Sequence, residues 1–237
     1  MRFSLRLKAL DKNVDLDYRR KFLSMFKTAL SDYDSDIFDK YYHEKDPIRK
    51  QMTFSPYFRN SKIKDGKLLL NNDDFILNLS VYENEMGIHF YNSLLNMKNK
   101  EFRDLFQIEK ISLQREKKFR NEVIFKTKSP IIAKEHNRET NKDSYYSFED
   151  DKFIEVLKNN LYNNMRDCFE WDVRDDIDKL EIEILSAKKI VVKNYGITIP
   201  CTLGQFRLKG ENYLLDYFYK AGFSAKSSQG FGYVDVE

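Results

Sequence analysis

The strongest constraint on the fold is the order in which hydrophobic periodicity changes along the chain. Residues 2–8, RFSLRLK, alternate apolar and polar residues as a half-buried strand does, with Arg2 on the polar face. A helical pattern covers 18–30, with Asp15 or Asp17 available as its cap. Strand patterns follow in QMTFSPYF, KLLL and DDFILNLSVY, then a helical pattern in NEMGIHFYNSLLNMKN and a strand in QIEKISLQRE. This order, β-α-β-β-α-β with a further short strand in the hairpin, predicts an antiparallel sheet with two helices on one face.

The second half repeats the same order more loosely. EVIFKTKSPIIA predicts a strand, KEHNRETNKDSYYSFED a polar loop, and DKFIEVLKNNLYNNMRDCF an amphipathic helix. Two or three strands in LEIEILSAKKIVVKNYGITIPCTLGQFRLKG precede the helix ENYLLDYFYKAG, which ends at Gly222, and the last strand, GYVDV. The predicted fold class is α+β, with two tandem ferredoxin-like (βαββαβ, RRM-like) domains at 1–118 and 119–237.

Composition limits the function classes. The 237 residues include 41 Lys and Arg against 38 Asp and Glu, a net charge of +3, so binding to a polyanion requires a local basic surface. Cys168 and Cys201 are the two cysteines, and they form neither a CxxC nor a zinc-ligand spacing. We therefore expect a reduced, cytoplasmic protein without a disulfide. No signal peptide or membrane-spanning run is recognised.

Basic residues cluster in two places. RNSKIKDGK, at 59–67, predicts a basic hairpin tip with Asp65-Gly66 as its turn. The region that joins the halves, with part of the second half, holds the other cluster: Arg115, Lys117, Lys118, Arg120, Lys126, Lys128, Lys188, Lys189 and Lys193. Such a surface suits a phosphate backbone, although charge runs are more often a solvated linker.

Catalytic candidates are few. Of the three histidines, His89 lies in a helical pattern that favours a structural role, and His136 lies in the polar loop. His43 has aromatic and basic neighbours that suit proton transfer and phosphate stabilisation: Tyr41, Tyr42, Lys45 and Lys50.

Other catalytic motifs are lacking. The sequence contains no GxxxxGK[ST], HExxH or GxSxG motif. The acidic pairs 73–74 and 175–176 resemble turn or helix-cap material more than a two-metal site. We therefore predict no metal and no cofactor.

Glycine gathers at the end of the chain, in AGFSAKSSQGFGYVDVE. Glycine permits close backbone approach to a ligand, and loop amides form an anion-binding concavity to which hydroxyl and lysine side chains add donors. The alternative interpretation is a tight turn into a last strand. The residues concerned are Gly222, Lys226, Ser227, Ser228, Gln229, Gly230 and Gly232.

The tail GFSAKSSQGFGYVDV resembles the C-terminal glycine-rich signature of the RAMP proteins of CRISPR systems, and most closely the Cas6 family. FRLKG at 206–210, KTKSPI at 126–131 and HEKDPIRKQMTFSPYF at 43–58 follow that family's order. The resemblance spans the chain; the tail is its specific part and the histidine match is looser. It implies two tandem ferredoxin-like domains in an endoribonuclease that binds CRISPR repeat RNA and cuts precursor crRNA once per repeat.

The resemblance also implies a chemistry and residues for it. Cleavage would be metal-independent, with attack by the ribose 2′-hydroxyl giving a 2′,3′-cyclic phosphate and a 5′-hydroxyl. His43 would be the general base or acid, and Lys50 or Lys45 would stabilise the pentacoordinate phosphate. Tyr33, Tyr41 or Tyr42 would orient the hydroxyl or help with proton transfer. RNA would be held by Gly222, Lys226, Ser227, Ser228, Gly230 and Gly232, with Arg115, Lys117, Lys128 and Lys189 in a basic cleft.

Several alternatives stay open at this stage. The chain could be a non-catalytic RAMP-type RNA-binding subunit of a CRISPR effector complex, or an unrelated ferredoxin-like interaction domain whose glycines serve a turn. Monomer and homodimer are equally compatible with the sequence. The repeat sequence and its shape, hairpin or single strand, are not encoded in any recognisable pattern.

Overall fold

The structure is a computed structural model that describes residues 1–42 and 48–236. The helices are α1 (Arg19–Tyr33), α2 (Ser35–Tyr42), α3 (Asn84–Asn96), α4 (Phe153–Met165), α5 (Arg174–Lys179) and α6 (Asn212–Ala221), with a 3₁₀ turn at Ser227–Gln229. The strands are β1 (Arg2–Ala9), β2 (Asn13–Asp15), β3 (Met52–Tyr57), β4 (Lys62–Lys64), β5 (Lys67–Leu69), β6 (Asp74–Val81), β7 (Glu101–Phe102), β8 (Phe106–Leu113), β9 (Glu122–Thr127), β10 (Ala133–Asn137), β11 (Lys142–Tyr146), β12 (Glu181–Asn194), β13 (Ile197–Lys209) and β14 (Val234–Val236).

The first half is built on one antiparallel sheet in the order β3-β6-β1-β8-β7. In the central strand β1, the apolar positions are fully buried, and Leu5 lies opposite Leu77 of β6 and Ile111 of β8. Helices α1 and α3 cover the apolar face and close one core, in which Phe26 packs edge-to-face on Phe54. The order of β3, β6, β1 and β8 is that of a ferredoxin-like domain.

The second half repeats this topology with its own sheet, β12-β13-β9-β14, and with α4 and α6 contributing to a second core. Both halves thus read β-α-β-β-α-β, and the prediction of two tandem ferredoxin-like units is confirmed. The strands of the two main sheets lie on either side of residue 118, but the domain boundary at 118 and 119 stays a prediction. Within the described ranges, no helix combines the length and apolar character that crossing a membrane requires.

Two local predictions, the polar loop of the second half and the side-chain cap of α1, were wrong, and helix α2 had no prediction. The acidic stretch after α1 forms helix α2, because the Asp34 carboxylate accepts the N–H groups of Asp36 and Ile37 at 2.9 and 3.0 Å. The predicted polar loop is the hairpin β10–β11, in which Lys134 and His136 contact Asp143. Helix α1 begins after Tyr18 without a side-chain cap, so neither Asp15 nor Asp17 caps it.

Two buried arginines of the first half hold the tail of the second half. Arg2, on the polar face of β1, is 1% exposed because the second half covers that face. Its guanidinium donates to the carbonyls of Tyr219 and Val234 at 3.0–3.1 Å and lies over the rings of Tyr219 and Tyr233. Arg19 donates to the carbonyl of Gly230 at 3.2 Å. The interface between the halves is therefore a specific, buried contact.

Strand β3 is the seam between the halves. The hydroxyl of Thr53 donates to the carbonyl of Phe231 at 2.8 Å, and that of Ser55 donates to the carbonyl of Lys128 at 2.7 Å. Gly230 (φ +84°) presses against the ring of Phe54, where an added Cβ would lie 2.6 Å from ring carbons. This glycine therefore serves close packing as well as a left-handed backbone.

We expect Gly230→Ala to destabilise the protein more than Gly196→Ala, the matched control. Both positions have similar positive φ, +84° and +80°, but a Cβ at Gly196 would meet nothing within 4 Å. Backbone strain should cost each variant about 1–2 kcal/mol, and overpacking should add about 1–3 kcal/mol to the Gly230 variant alone. Urea unfolding of the three proteins checks this, and equal losses in the two variants would refute the packing role.

Candidate functional site

A polar pocket of about 90 Å³ lies where the start of β3 meets the C-terminal tail. Arg49, Lys50 and Gln51 line it from the first half. The second half contributes Asn164, Tyr217, Ala221, Gly222, Ala225, Ser227 and Ser228. This glycine-loop pocket, as we call it, brings a predicted catalytic lysine and the predicted RNA loop into one site.

Lys50 is fixed at the mouth of this pocket. Its ammonium donates to the carbonyl of Tyr41 at 2.9 Å and lies 4.0 Å from the centre of the Tyr42 ring. Burial, with a smaller contribution from the charge of Lys27, lowers the pKa of Lys50 to about 8. Lys50 is thus still mostly cationic at neutral pH, but it releases a proton more readily than a surface lysine.

The tyrosines beside Lys50 are held as phenols. Tyr41 is 2% exposed, its hydroxyl is 2.8 Å from Nδ1 of His89 on α3, and burial raises its pKa to about 12. Burial also raises the pKa of Tyr42, whose ring stacks on Phe38 with centroids 5.2 Å apart. Neither tyrosine is suited to act as a base near pH 7. Tyr33, the third candidate, ends α1 and is 40% exposed.

His43 and Lys45 lie outside the described residues. In sequence, His43 directly follows Tyr42, the last residue of α2, and Lys50 comes seven positions later. Their catalytic roles stay predictions.

The floor of the glycine-loop pocket carries an unused acceptor. The Gln51 amide donates to the Cys168 sulfur at 2.7 Å, while its Oε1 is buried and has no hydrogen-bond partner among the described residues. Asn164 links this floor to the tail, since its side-chain amide donates to the Ser224 carbonyl at 2.8 Å and its backbone carbonyl accepts the Tyr217 hydroxyl at 2.8 Å. A buried acceptor without a partner is costly unless a ligand supplies the donor.

The tail residues differ in how they face this pocket. Gly222 and Ser228 line it, and Ser227 lines it while its hydroxyl donates to the Ser224 carbonyl at 2.8 Å. Lys226 is half-buried, with its ammonium 5.6 Å from the Tyr145 ring, and burial lowers its pKa. Gly232, like Gly230, is buried, and a Cβ there would lie 2.6 Å from the Phe223 backbone.

A second concave surface, the central groove, runs between the two halves beyond the other end of β3. It comprises two depressions of about 310 Å³ each, which share Ser55, Pro56 and Lys128, and a third of about 470 Å³ on the second half, which meets one of them at Leu203. Its charged lining is mainly cationic: Arg19, Lys126, Lys128, Lys188 and Lys193, with Asp235.

The structure separates the predicted RNA-binding cations. Lys128 lines the central groove, whereas the ammonium of Lys189 pairs with Glu149 at 2.8 Å. Its neighbour Lys188 lines the groove instead, since successive residues of β12 point to opposite faces. Arg115 and Lys117 are exposed on the segment between β8 and β9.

Sequence reasoning missed Arg49 and Gln51, which line the glycine-loop pocket. The only signal for either residue was its position beside Lys50 in the chain.

Comparison with known proteins agrees with this architecture. The family model described as CRISPR associated protein Cas6, C-terminal, matches residues 113–236, slightly more than half of the chain. No curated protein matches the sequence.

Solved structures share the whole fold at low identity. The product of a Cas6-related gene from Pyrococcus furiosus has a TM-score of 0.85 at 22% identity, covering 100% of this chain and 98% of its own. A RAMP protein binding different RNA substrates has a TM-score of 0.83 at 22% identity, covering 100% and 99%. A Thermus thermophilus Cas6 in a product complex has a TM-score of 0.70 at 15% identity, covering 99% of each chain. The chain belongs to the CRISPR-associated Cas6 family.

Proposed function

We propose that this chain is an endoribonuclease that binds CRISPR repeat RNA and cuts precursor crRNA within each repeat without a metal ion. The observation that carries the proposal is the glycine-loop pocket, where Lys50 of the first half meets Gly222, Ser227 and Ser228 of the second. Its polar groups offer donors to a phosphate and an acceptor to a hydroxyl. Membership of the Cas6 family supports RNA as the ligand.

The proposed reaction is an internal transesterification. The 2′-oxygen loses its proton and attacks the adjacent phosphorus, the bond from phosphorus to the 5′-oxygen breaks, and that oxygen takes up a proton. The products are a 2′,3′-cyclic phosphate and a 5′-hydroxyl, and no water is consumed. The protein has to supply one base, one acid and positive charge beside the phosphorane.

The residues of the site divide these tasks. Lys50, cationic at neutral pH, stabilises the phosphorane and is acidic enough to protonate the leaving oxygen. Since Tyr41 and Tyr42 stay protonated, His43 is the proposed proton acceptor, because an unperturbed imidazole titrates near pH 6.5. The free Oε1 of Gln51 accepts a hydroxyl proton of the RNA and so orients the ribose.

The proposed RNA path runs from the central groove to the glycine-loop pocket. Strand β3 begins next to Lys50 and ends at Tyr57, which lines the groove, so the two sites are roughly 20 Å apart at 3.3 Å per residue. The groove binds the backbone through its lysines, and the pocket receives the scissile phosphate.

Incubation of end-labelled repeat RNA with the protein in EDTA should give one cut per repeat, and a 2′-deoxy residue at the cut site should abolish it. The RNA is transcribed from a CRISPR array of the source genome. His43→Ala should lower the cleavage rate by about 10²–10⁴-fold, the scale of general acid–base catalysis. His136→Ala is the control, because that histidine pairs with Asp143 in the β10–β11 hairpin.

Two results would contradict this proposal in different ways. Tight binding of intact RNA without a cut would make the chain a non-catalytic RNA-binding subunit. Cutting by His43→Ala at the wild-type rate would leave the nuclease but remove His43 from its mechanism.

The pH dependence of cleavage should reveal the loss of the Lys50 charge. Because the pKa of Lys50 is lowered to about 8, its charge is present below that pH and is lost as pH rises through it. An arginine stays charged throughout. The ratio of wild-type to Lys50→Arg kcat/KM should therefore fall about tenfold between about pH 7 and 9, since kcat/KM reports the free enzyme. A flat ratio would exclude a role for the Lys50 ammonium.

Substitution of two adjacent lysines of β12 tests whether the central groove binds RNA. Lys188→Ala should weaken RNA binding and reduce the slope of log Kd against log salt by about 1, as loss of one phosphate contact does. Lys189→Ala should change neither, because Lys189 faces Glu149. Fluorescence anisotropy between about 50 and 200 mM salt measures both slopes. Equal effects of the two variants would place the RNA elsewhere.

A further inference from the structure

A cavity of about 140 Å³ opens in the first half between the start of α1, strand β2 and the β4–β5 hairpin. Its inner wall is aromatic, with neighbouring rings at centroid distances of 5.0–6.2 Å; Phe22 and Phe106 are stacked, and the other pairs are edge-to-face or tilted. We call it the aromatic pocket; its rings are Tyr18, Phe22, Phe58, Phe75 and Phe106. None of the proposed cleavage steps uses it.

The size of the aromatic pocket suits one planar ring system. Protein interiors are close-packed, so an open aromatic cavity of this volume is not a requirement of the core. An apolar cavity of about 150 Å³ accommodates one benzene ring, whereas drug-sized ligands need about 300 Å³ or more. Stacking on aromatic side chains is the general way in which proteins bind unpaired nucleobases.

The rim adds groups that match the edge of a base. Lys21 of α1 and Lys67 of β5 are donors, and Asp11 and Asp15 are acceptors. The Asp11 carboxylate is fixed by the Asn13 backbone N–H at 2.8 Å. Such a mixed rim can pair with carbonyl and amino groups of a base, and it does not attract a phosphate by itself.

A source of phosphate affinity lies next to the aromatic pocket. The basic segment predicted at 59–67 is the β4–β5 hairpin, in which Asp65 and Gly66 both have positive φ, as the predicted tight turn requires. Its three lysines, Lys62, Lys64 and Lys67, are exposed, and Lys67 also lines the pocket. This hairpin pairs through β5 with β2, which forms another side of the pocket.

The aromatic pocket adjoins the central groove. Tyr18 lines both, and the guanidinium of Arg19, which lines the groove, lies 5.0 Å from the centre of the Tyr18 ring. Exposed Ile63 of β4 lines the groove as well. RNA in the groove therefore passes within one side chain of the aromatic pocket.

We propose that the aromatic pocket takes up one unpaired nucleobase of the bound RNA, with the flanking phosphates on the lysines of the β4–β5 hairpin. This inference rests on the proposed function, and it adds a base-reading subsite to it. The base stacks on the aromatic wall, and the rim selects among bases by pairing with the edge.

The test asks whether filling the pocket and removing one base from the RNA weaken RNA binding through the same contact. Val14 lines the pocket from β2, and Val14→Trp fills it. Repeat RNAs that each carry one abasic nucleotide are titrated against wild type and this variant by fluorescence anisotropy. We expect Val14→Trp to weaken intact RNA about tenfold, the scale of one stacked base. One abasic position should weaken wild type equally and cost the variant nothing further.

A second variant tests the same pocket without inserting a large side chain. Lys67→Ala changes an exposed rim residue and should weaken RNA binding at least threefold, whereas Lys179→Ala, an exposed lysine of α5, should not. Saturation-transfer NMR with AMP, GMP, CMP and UMP should also show transfer to the base protons of one or more nucleotides, which Lys67→Ala reduces. If Val14→Trp does not fold, these two measurements decide whether the aromatic pocket binds a nucleobase.

The outcomes separate the two proposals. Wild type that binds and cuts repeat RNA with no abasic position coupled to Val14→Trp would overturn the base subsite and leave the nuclease intact. Wild type that neither binds nor cuts repeat RNA would overturn both.

Discussion

The burial of the Arg2 guanidinium is the contact on which the rest of the molecule depends. Its charge is removed from water, and it is stabilised by the carbonyls of Tyr219 and Val234 and by the faces of the Tyr219 and Tyr233 rings. All of these groups belong to the second half. The buried guanidinium meets these partners in only one arrangement of the two halves, so it fixes their docking, although its Nε has no hydrogen-bond partner among the described residues.

The docked arrangement creates the candidate site, which neither half contains alone. Once Arg2 and Arg19 have positioned the tail, β3 lies against it, and the start of that strand brings Lys50 to Gly222. The glycines then have two separate reasons to be glycine. Gly230 makes room for the Phe54 ring at the seam, and Gly222 lines the pocket. The tail thus packs closely at the seam and also lines the glycine-loop pocket, while its role in RNA binding stays a prediction.

The sequence predicted those structural features that depend only on residues close together in the chain. The βαββαβ core order of each half, the Asp65-Gly66 turn and the end of α6 at Gly222 all follow from periodicity and backbone preference, and all are found. The failures depend on distant contacts. Arg2 alternates with apolar residues as a surface arginine does, and only the second half makes it buried. Likewise, Lys188 and Lys189 are equivalent in sequence, and only the packing of β12 decides which faces the groove.

Under the proposed function, β3 also fixes the distance between recognition and cleavage. The strand pairs with β6 along its whole length, and Thr53 and Ser55 tie it to the second half, so neither end moves independently of the other. RNA held at the groove end then presents to Lys50 the phosphate that lies roughly 20 Å further along its path. The cut position is set by the length of a rigid element and needs no base contact at the scissile bond. A fixed distance between the groove and Lys50 requires the tight glycine contacts at the seam, because a flexible seam would let that distance vary.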